Sequence, residues 1–267
     1  MIPESTVKRL ARLNRVEGGT AAVVEVDHDL TTQAAADILG VSRPHKCYYP
    51  DYRFSEDLDF TVPGPLSARE AEAVIAQVAA TSASAGIRLV LDEMRTTVMN
   101  DEYGRESLEI RVPYQRALRM GSRPAVQFHL TADEELIFVP VMRPLLHPYD
   151  DSSAVSATLQ CYALEEVLAE KLRAVSGQRR HAIARDVYDI AQLLERGDVG
   201  PHAALEALPA KAACKGIDPH GAKERLLARE AEYRTNWSQQ LAYLVTDGLE
   251  FEAAFAVVAE LLGGVGE

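Results

Sequence analysis

The spacing of apolar and polar positions divides the chain into three stretches. Up to about residue 46 apolar residues recur at helical spacing. Val7, Leu10, Ala11 and Leu13 give one short helix an apolar side, and Val26, Leu30, Ala34 and Ile38 give a second, with Gly18-Gly19 between them. From about 47 to 160 the period shortens to two. In the run RFSEDLDFTV, Phe54, Glu56, Leu58 and Phe60 share one side of a strand, and Ser55, Asp57 and Asp59 share the other. A helix from Ser67 to about Gly86 is predicted next, opened by Ser67 as N-cap with Glu70 completing a capping box. Further strands are predicted at Ile87–Leu91, Ser107–Val112, Val126–Leu130 and Leu136–Met142, then an irregular connection over Leu145–Asp151. Beyond 160 the helical period returns, over Leu164–Val175, Ala182–Glu195, Pro201–Leu208, Lys223–Thr246 and Leu249–Leu262. The expected architecture is α+β, with a mixed β-sheet domain and N-terminal helices over 1–160 and a C-terminal helical domain over 161–267.

Charge qualifies this picture more than bulk composition does. Of the 267 residues, 47% are hydrophobic and 25% charged, an ordinary balance for a chain with a real core. No apolar run approaches the length of a membrane span, and the first residues lack the apolar stretch of a secretion signal. Cys47, Cys161 and Cys214 are too scattered for a disulfide framework or zinc site, so a reducing cytoplasm is the expected location. The net charge of −12 disfavours a general nucleic-acid coat or an anionic-membrane binder. It leaves room for a nucleotide enzyme that concentrates its cations in one place and holds metal with its carboxylates.

Three segments carry candidate chemistry. Asp57 and Asp59, two apart on a strand and beside the Ser55 hydroxyl, present oxygen ligands in the way Mg²⁺ is commonly held, although a solvated edge strand has the same pattern. Lys171 lies at the border of the apolar stripe Leu164, Val167, Leu168, Leu172 and Val175. Its ammonium can therefore face a cleft as the counter-charge of a triphosphate, or snorkel into water. From Lys171 to Arg185 there are five cations and no carboxylate, a local reversal of sign that suits phosphate. Just beyond, Asp186 and Asp189 share a helix face, and Arg185 with Asp189 forms an i,i+4 pair.

The ordered set MIP, VEVDHDL, KCYYPDYRFSEDLDFTV, LLHPYDD, LEEVLAEKLRAV and RHAIARDVYDI resembles the AbiEii/AbiGii-type nucleotidyltransferase family, which includes the MenT toxins. The likeness runs through most of the chain, including the helices around Trp237. It implies a DNA-polymerase-β-like nucleotidyltransferase fold and a toxin of a toxin–antitoxin pair. The implied reaction moves a nucleotide from an NTP to an acceptor such as a tRNA 3′ end, with Mg²⁺ as cofactor and a cognate antitoxin as partner. Carried over by position, Asp57 and Asp59 become the metal-binding pair, with Ser55 beside them in the nucleotide site. Lys171 and Asp186, matching the lysine of the family's AEKL motif and the acid of its RD motif, become the remaining catalytic residues, while Arg179, Arg180 and Arg185 of the cationic run are the expected nucleotide contacts.

Two positions depart from the family pattern. The glycine-rich turn that cradles phosphate falls by position on Gly40-Val41-Ser42, where Val41 replaces the second glycine and Gly40 and Ser42 retain part of the cradle. The family's third acid falls on His129 of VQFHLT, on the strand face shared with Gln127. An imidazole there is able to accept a proton but is a poorer Mg²⁺ ligand than a carboxylate. These departures motivate two alternatives: a catalytically impaired member acting as a binding protein, and a phosphotransferase on the same fold.

Overall fold

The computed structural model describes residues 29–35, 41–42, 47–53, 57–62, 64–83, 87–100, 106–115, 124–132, 134–149, 152–242, 244–245 and 248–264. The predicted first helix, Ser55 and Gly40 lie outside these residues, as does the far end of the helix expected to reach Gly86. The chain divides into two compact units, Met1–Glu134 with Pro140–Cys161 and Glu135–Val139 with Tyr162–Glu267. Among the described residues no helix is long and apolar enough to cross a membrane.

The first unit is built on a mixed sheet of eight strands among the described residues. They are β1 (Val41–Ser42), β2 (Leu58–Thr61), β3 (Arg88–Leu89), β4 (Arg95–Asn100), β5 (Glu106–Gln115), β6 (Ala125–Thr131), β7 (Val141–Pro144) and β8 (Thr158–Cys161). Their order is β3-β5-β6-β2-β1-β8-β7, with β4 paired to β5. The β2/β6 and β1/β8 pairs are parallel and the rest antiparallel. One face of the central strands is apolar because the alternation is strict. Leu58, Phe60, Leu108, Ile110, Val112, Val126, Phe128 and Leu130 are all buried. Helical residues 29–35, here α1, and α2 (Ala68–Ser82) pack on the same core through Leu30, Ala34, Ala71, Ile75 and Val78. The capping box of α2 forms as predicted, with the Glu70 amide donating to Ser67 Oγ and the Ser67 amide donating to Glu70 Oε2.

Several predicted boundaries are corrected. α2 ends at Ser82, and the strand expected over Ile87–Leu91 is confined to Arg88–Leu89, followed by a 3₁₀ turn at Leu91–Glu93. Strand β4 has no counterpart in the sequence reading because its residues are exposed or half-buried and show no apolar alternation. The strand expected over Leu136–Met142 is the largest displacement. Its first half forms no ladder, because the Ile137 and Phe138 amides donate to Glu166 Oε2 at 2.9 and 2.8 Å. Pairing begins only at Val141, opposite Cys161.

The second unit is helical, with α3 (Leu164–Arg173), α4 (Ala184–Arg196), α5 (Pro201–Ala213), α6 (Ala222–Ala228), α7 (Glu230–Leu241) and α8 (Phe251–Gly263). A π-helical turn, Ala174–Gln178, ends α3, and Gly177 takes the left-handed side with φ 129°. α5 runs through Pro209 to Ala213, five residues beyond the predicted end. The single helix expected over Lys223–Thr246 is two helices, because the backbone of Arg229 leaves helical geometry at φ −109° and ψ 10°. The tertiary bonds of that arginine, described below, outweigh the local helical preference.

Candidate active site

Along the middle of β2, β5 and β6 the positions that alternate with the buried ones are polar: Asp59, Ser107, Glu109, Arg111, Gln127 and His129. Register sets Asp59 of β2 beside His129 of β6, and Glu109 of β5 beside the same His129. Three polar side chains therefore stand in a row across three strands. His129 Nδ1 lies 3.4 Å from Asp59 Oδ1, and its Nε2 lies 3.6 Å from Glu109 Oε2. The Gln127 amide nitrogen is 2.9 Å from the same Nε2, so the ring has a neighbour at each nitrogen. The hydrogen bond to Asp59 raises the pKa of His129 above its ordinary value. Partial burial opposes that shift, while the charges of Asp59, Asp57 and Glu109 add to it.

Asp57, half-buried, immediately precedes β2. It and Asp59 offer hard oxygen donors at positions two apart, whereas the imidazole between Asp59 and Glu109 is a softer group. Among the described residues no three His, Cys, Asp or Glu side chains form a closed metal cage. Two aspartates match in donor type what Mg²⁺ takes, since it usually binds one or two carboxylates and completes its shell with water and substrate phosphate. Glu109 escaped the sequence reading. The alternation of Ser107–Val112 does put it on the polar face, but only strand register sets it against His129. Ser42 lies in β1, with its backbone opposite Phe60 and Cys161.

In the second unit Lys171 does not snorkel. Its Nζ lies 2.7 Å from Asp186 Oδ1 and 2.8 Å from Asp189 Oδ2, with both carboxylates buried. Arg179 Nε reaches Asp186 Oδ2 at 3.1 Å. Burial alone would raise the Asp186 carboxyl, but Lys171 and Arg179 outweigh it and hold the group below the usual carboxylate range. Thus α3, its π turn and α4 join Lys171, Arg179, Asp186 and Asp189 into one network with two positive and two negative groups. The Lys171–Arg185 run is correspondingly less exposed than its sequence suggests. Arg173 is buried and donates to Gln178 Oε1 and the Lys211 carbonyl, whereas Arg180 is exposed and Arg185 half-buried.

A second buried cluster was not anticipated. Lys211 is wholly buried, and its Nζ meets Glu166 Oε1 at 2.6 Å, Glu170 Oε1 at 3.2 Å and the Glu135 carbonyl at 2.8 Å. Together with the two amides bound by Glu166, these contacts fasten residues 135–139 into the helical unit. The sequence signal was a lysine inside the alanine-rich helix α5, two residues after its internal proline.

The family model described as nucleotidyl transferase AbiEii toxin, type IV TA system, matches residues 45–257. Among solved structures, MenT4, a nucleotidyltransferase toxin from Mycobacterium tuberculosis H37Rv, aligns with a TM-score of 0.57 and 18% identity over 100% of both chains. A candidate nucleotidyltransferase from H. pylori aligns with a TM-score of 0.53 and 17% identity, covering 91% of this chain and 94% of that one. At such identities these two likenesses concern the fold. No match is found among curated proteins.

Proposed function

Because the chain belongs to the AbiEii nucleotidyl transferase toxin family and is a nucleotidyltransferase of a toxin–antitoxin system, we propose that it moves a nucleotidyl group from an NTP to an acceptor hydroxyl such as a tRNA 3′ end. The carrying observation is the row Asp59–His129–Glu109 on the polar face of the sheet, with Asp57 two residues before Asp59. In the reaction the acceptor oxygen forms a bond to the α-phosphorus. The bond from that phosphorus to the bridging oxygen of the β-phosphate breaks, pyrophosphate leaves, and the hydroxyl proton passes to solvent. Asp57 and Asp59 are the residues to hold Mg²⁺, which would neutralise charge on the phosphates. His129, placed between two carboxylates, fixes the orientation of Asp59 rather than adding a third acid. On the same reading Lys171 and Asp186 of the helical unit are further catalytic residues and Arg179, Arg180 and Arg185 nucleotide contacts, while Ser55 serves the nucleotide beside Asp57, and Gly40 and Ser42 retain part of the phosphate cradle.

The test incubates the purified chain with each α-labelled NTP, Mg²⁺ and a tRNA pool. Label is expected on RNA with one NTP, and its transfer rate should fall at least about a hundredfold in Asp57→Asn and Asp59→Asn. A wild-type chain that binds no NTP and labels nothing refutes the proposal. His129 at the position of a family acid favours one further reading, a non-catalytic binding protein. Growth arrest that persists undiminished in Asp57→Asn would select it. A phosphate instead of a nucleotide adduct on the acceptor would select phosphotransfer.

A further inference from the structure

The N-terminus of α4 has no cap of its own, since its N-cap residue is Ile183. The amides at such a helix start have no intrahelical acceptor and need partners from elsewhere. They find them on α7. Gln240 Oε1 accepts the Ala184 amide at 2.8 Å, Glu232 Oε1 accepts the Ala182 amide at 2.7 Å, and Asn236 Nδ2 donates to the Ala182 carbonyl at 2.8 Å. One turn earlier, Arg229 donates to the carbonyls of Arg179 and Arg180 at 2.8 and 3.3 Å, and its Nε bonds Glu232 Oε2 at 3.0 Å. Residues 229, 232, 236 and 240 follow the i, i+3, i+7, i+11 spacing of a single helical stripe. That stripe meets the backbone of 179–184 in five hydrogen bonds, to the carbonyls of 179, 180 and 182 and the amides of 182 and 184.

The segment so held carries Arg179 and Arg180 and leads directly into Arg185 and Asp186. We infer that Arg229, Glu232, Asn236 and Gln240 are positioning residues, a template that fixes the backbone from which the nucleotide-binding arginines project. This inference rests on the nucleotidyltransferase reading above. The polarity of the stripe supports it: acceptors face the two amides and donors face the three carbonyls, so each contact is specific in sense as well as place. The Ala182 amide in turn holds the Glu232 carboxyl below its ordinary range, with Arg229 acting in the same direction.

The experiment uses the full chain and three near-isosteric changes. Gln240→Leu removes an acceptor, Gln240→Glu keeps one, and Asn236→Asp replaces a donor by an acceptor facing the Ala182 carbonyl. In Gln240→Leu and Asn236→Asp, KM for the NTP is expected to rise about five- to tenfold, the effect of one lost hydrogen bond, with kcat within about twofold. Gln240→Glu should retain the wild-type KM. Amide exchange at Ala182 and Ala184 should accelerate in the first two variants and not in the third. A purely structural cap would instead lower thermal stability and the active fraction, reducing apparent kcat at unchanged KM. That pattern, or unchanged kinetics despite faster exchange, overturns the inference while leaving the transferase reading intact. A wild-type chain with neither NTP binding nor transfer overturns both.

Discussion

Replacing Lys211 by methionine is the most severe single test of how the helical unit is held together. The side chain is 0% exposed, and its ammonium forms an ion pair with Glu166 Oε1 at 2.6 Å and donates to Glu170 Oε1 at 3.2 Å and the Glu135 carbonyl at 2.8 Å. Methionine fills nearly the same volume, so the change removes charge and hydrogen bonds while largely preserving packing. Glu166, also 0% exposed, would keep its two amide donors, Ile137 and Phe138, but lose its counter-charge. Removing one partner of a buried ion pair costs about 3–5 kcal/mol, because the remaining charge stays desolvated. A loss of that size is a large fraction of the stability of an ordinary domain. Trp237, the single tryptophan, packs 6.2 Å from Tyr188 and 5.5 Å from Phe251 within the same unit, so its fluorescence during urea unfolding reports this unit. Adding Glu166→Gln removes the stranded charge while leaving an acceptor for the two amides, and should recover about 1–2 kcal/mol as coupling. Amide exchange at Ile137 and Phe138 should quicken in Lys211→Met. A loss below about 1 kcal/mol, or unchanged protection of those amides, would show that the cluster is a passenger of the packing.

The remaining predictions concern the π turn and the ion network beside it. The folded-state pKa of Asp186 is depressed, so its contribution to stability is present above the ordinary aspartate range and is lost as pH falls below about 4. The urea midpoint should therefore drop on that acid limb, and Asp186→Asn should flatten the limb; an unchanged limb in the variant rules Asp186 out as its source. Gly177→Ala forces a side chain onto a residue at φ 129° and sets a Cβ 3.2 Å from Arg225 Nε, the atom that binds the Ser176 carbonyl. A destabilisation of about 1–3 kcal/mol is expected in thermal unfolding, and a neutral result would show that the turn can reshape.

Legibility varied with how local the causes were. The α2 capping box involves atoms three residues apart, and Ser67 with Glu70 announce it directly. The apolar faces of β5 and β6 follow from alternation alone, as does the polar side bearing His129. What alternation cannot give is register, and it is register that puts Glu109 against His129. Residues 135–139 show a different failure. Leu136, Ile137, Phe138 and Val139 have strand composition, but the Ile137 and Phe138 amides go to the side chain of Glu166 and the preceding Glu135 carbonyl to the ammonium of Lys211, both distant in sequence. The α6/α7 break is similar, since Arg229 looks like an ordinary helical arginine until its two carbonyl partners at 179 and 180 are known.

The same reasoning changes what a substitution at Lys171 reveals. Read from sequence, the residue is a counter-charge for phosphate. In the fold its ammonium already faces two buried carboxylates, at 2.7 and 2.8 Å, and the side chain is only 21% exposed. A charge-assisted bond to phosphate is worth about 1.5–3 kcal/mol, whereas leaving a buried carboxylate without its counter-charge costs about 3–5 kcal/mol. An inactive Lys171→Ala therefore reports the integrity of the α3/α4 pair before it reports phosphate contact. The acidic balance of the whole chain reads differently as a result. Of the five cations between Lys171 and Arg185, Lys171 and Arg179 neutralise buried acids and Arg173 is itself buried. Arg179 and Arg180 are exposed and Arg185 half-buried, all on or beside the backbone that α7 holds in place, and the proposed nucleotide contact depends on these three.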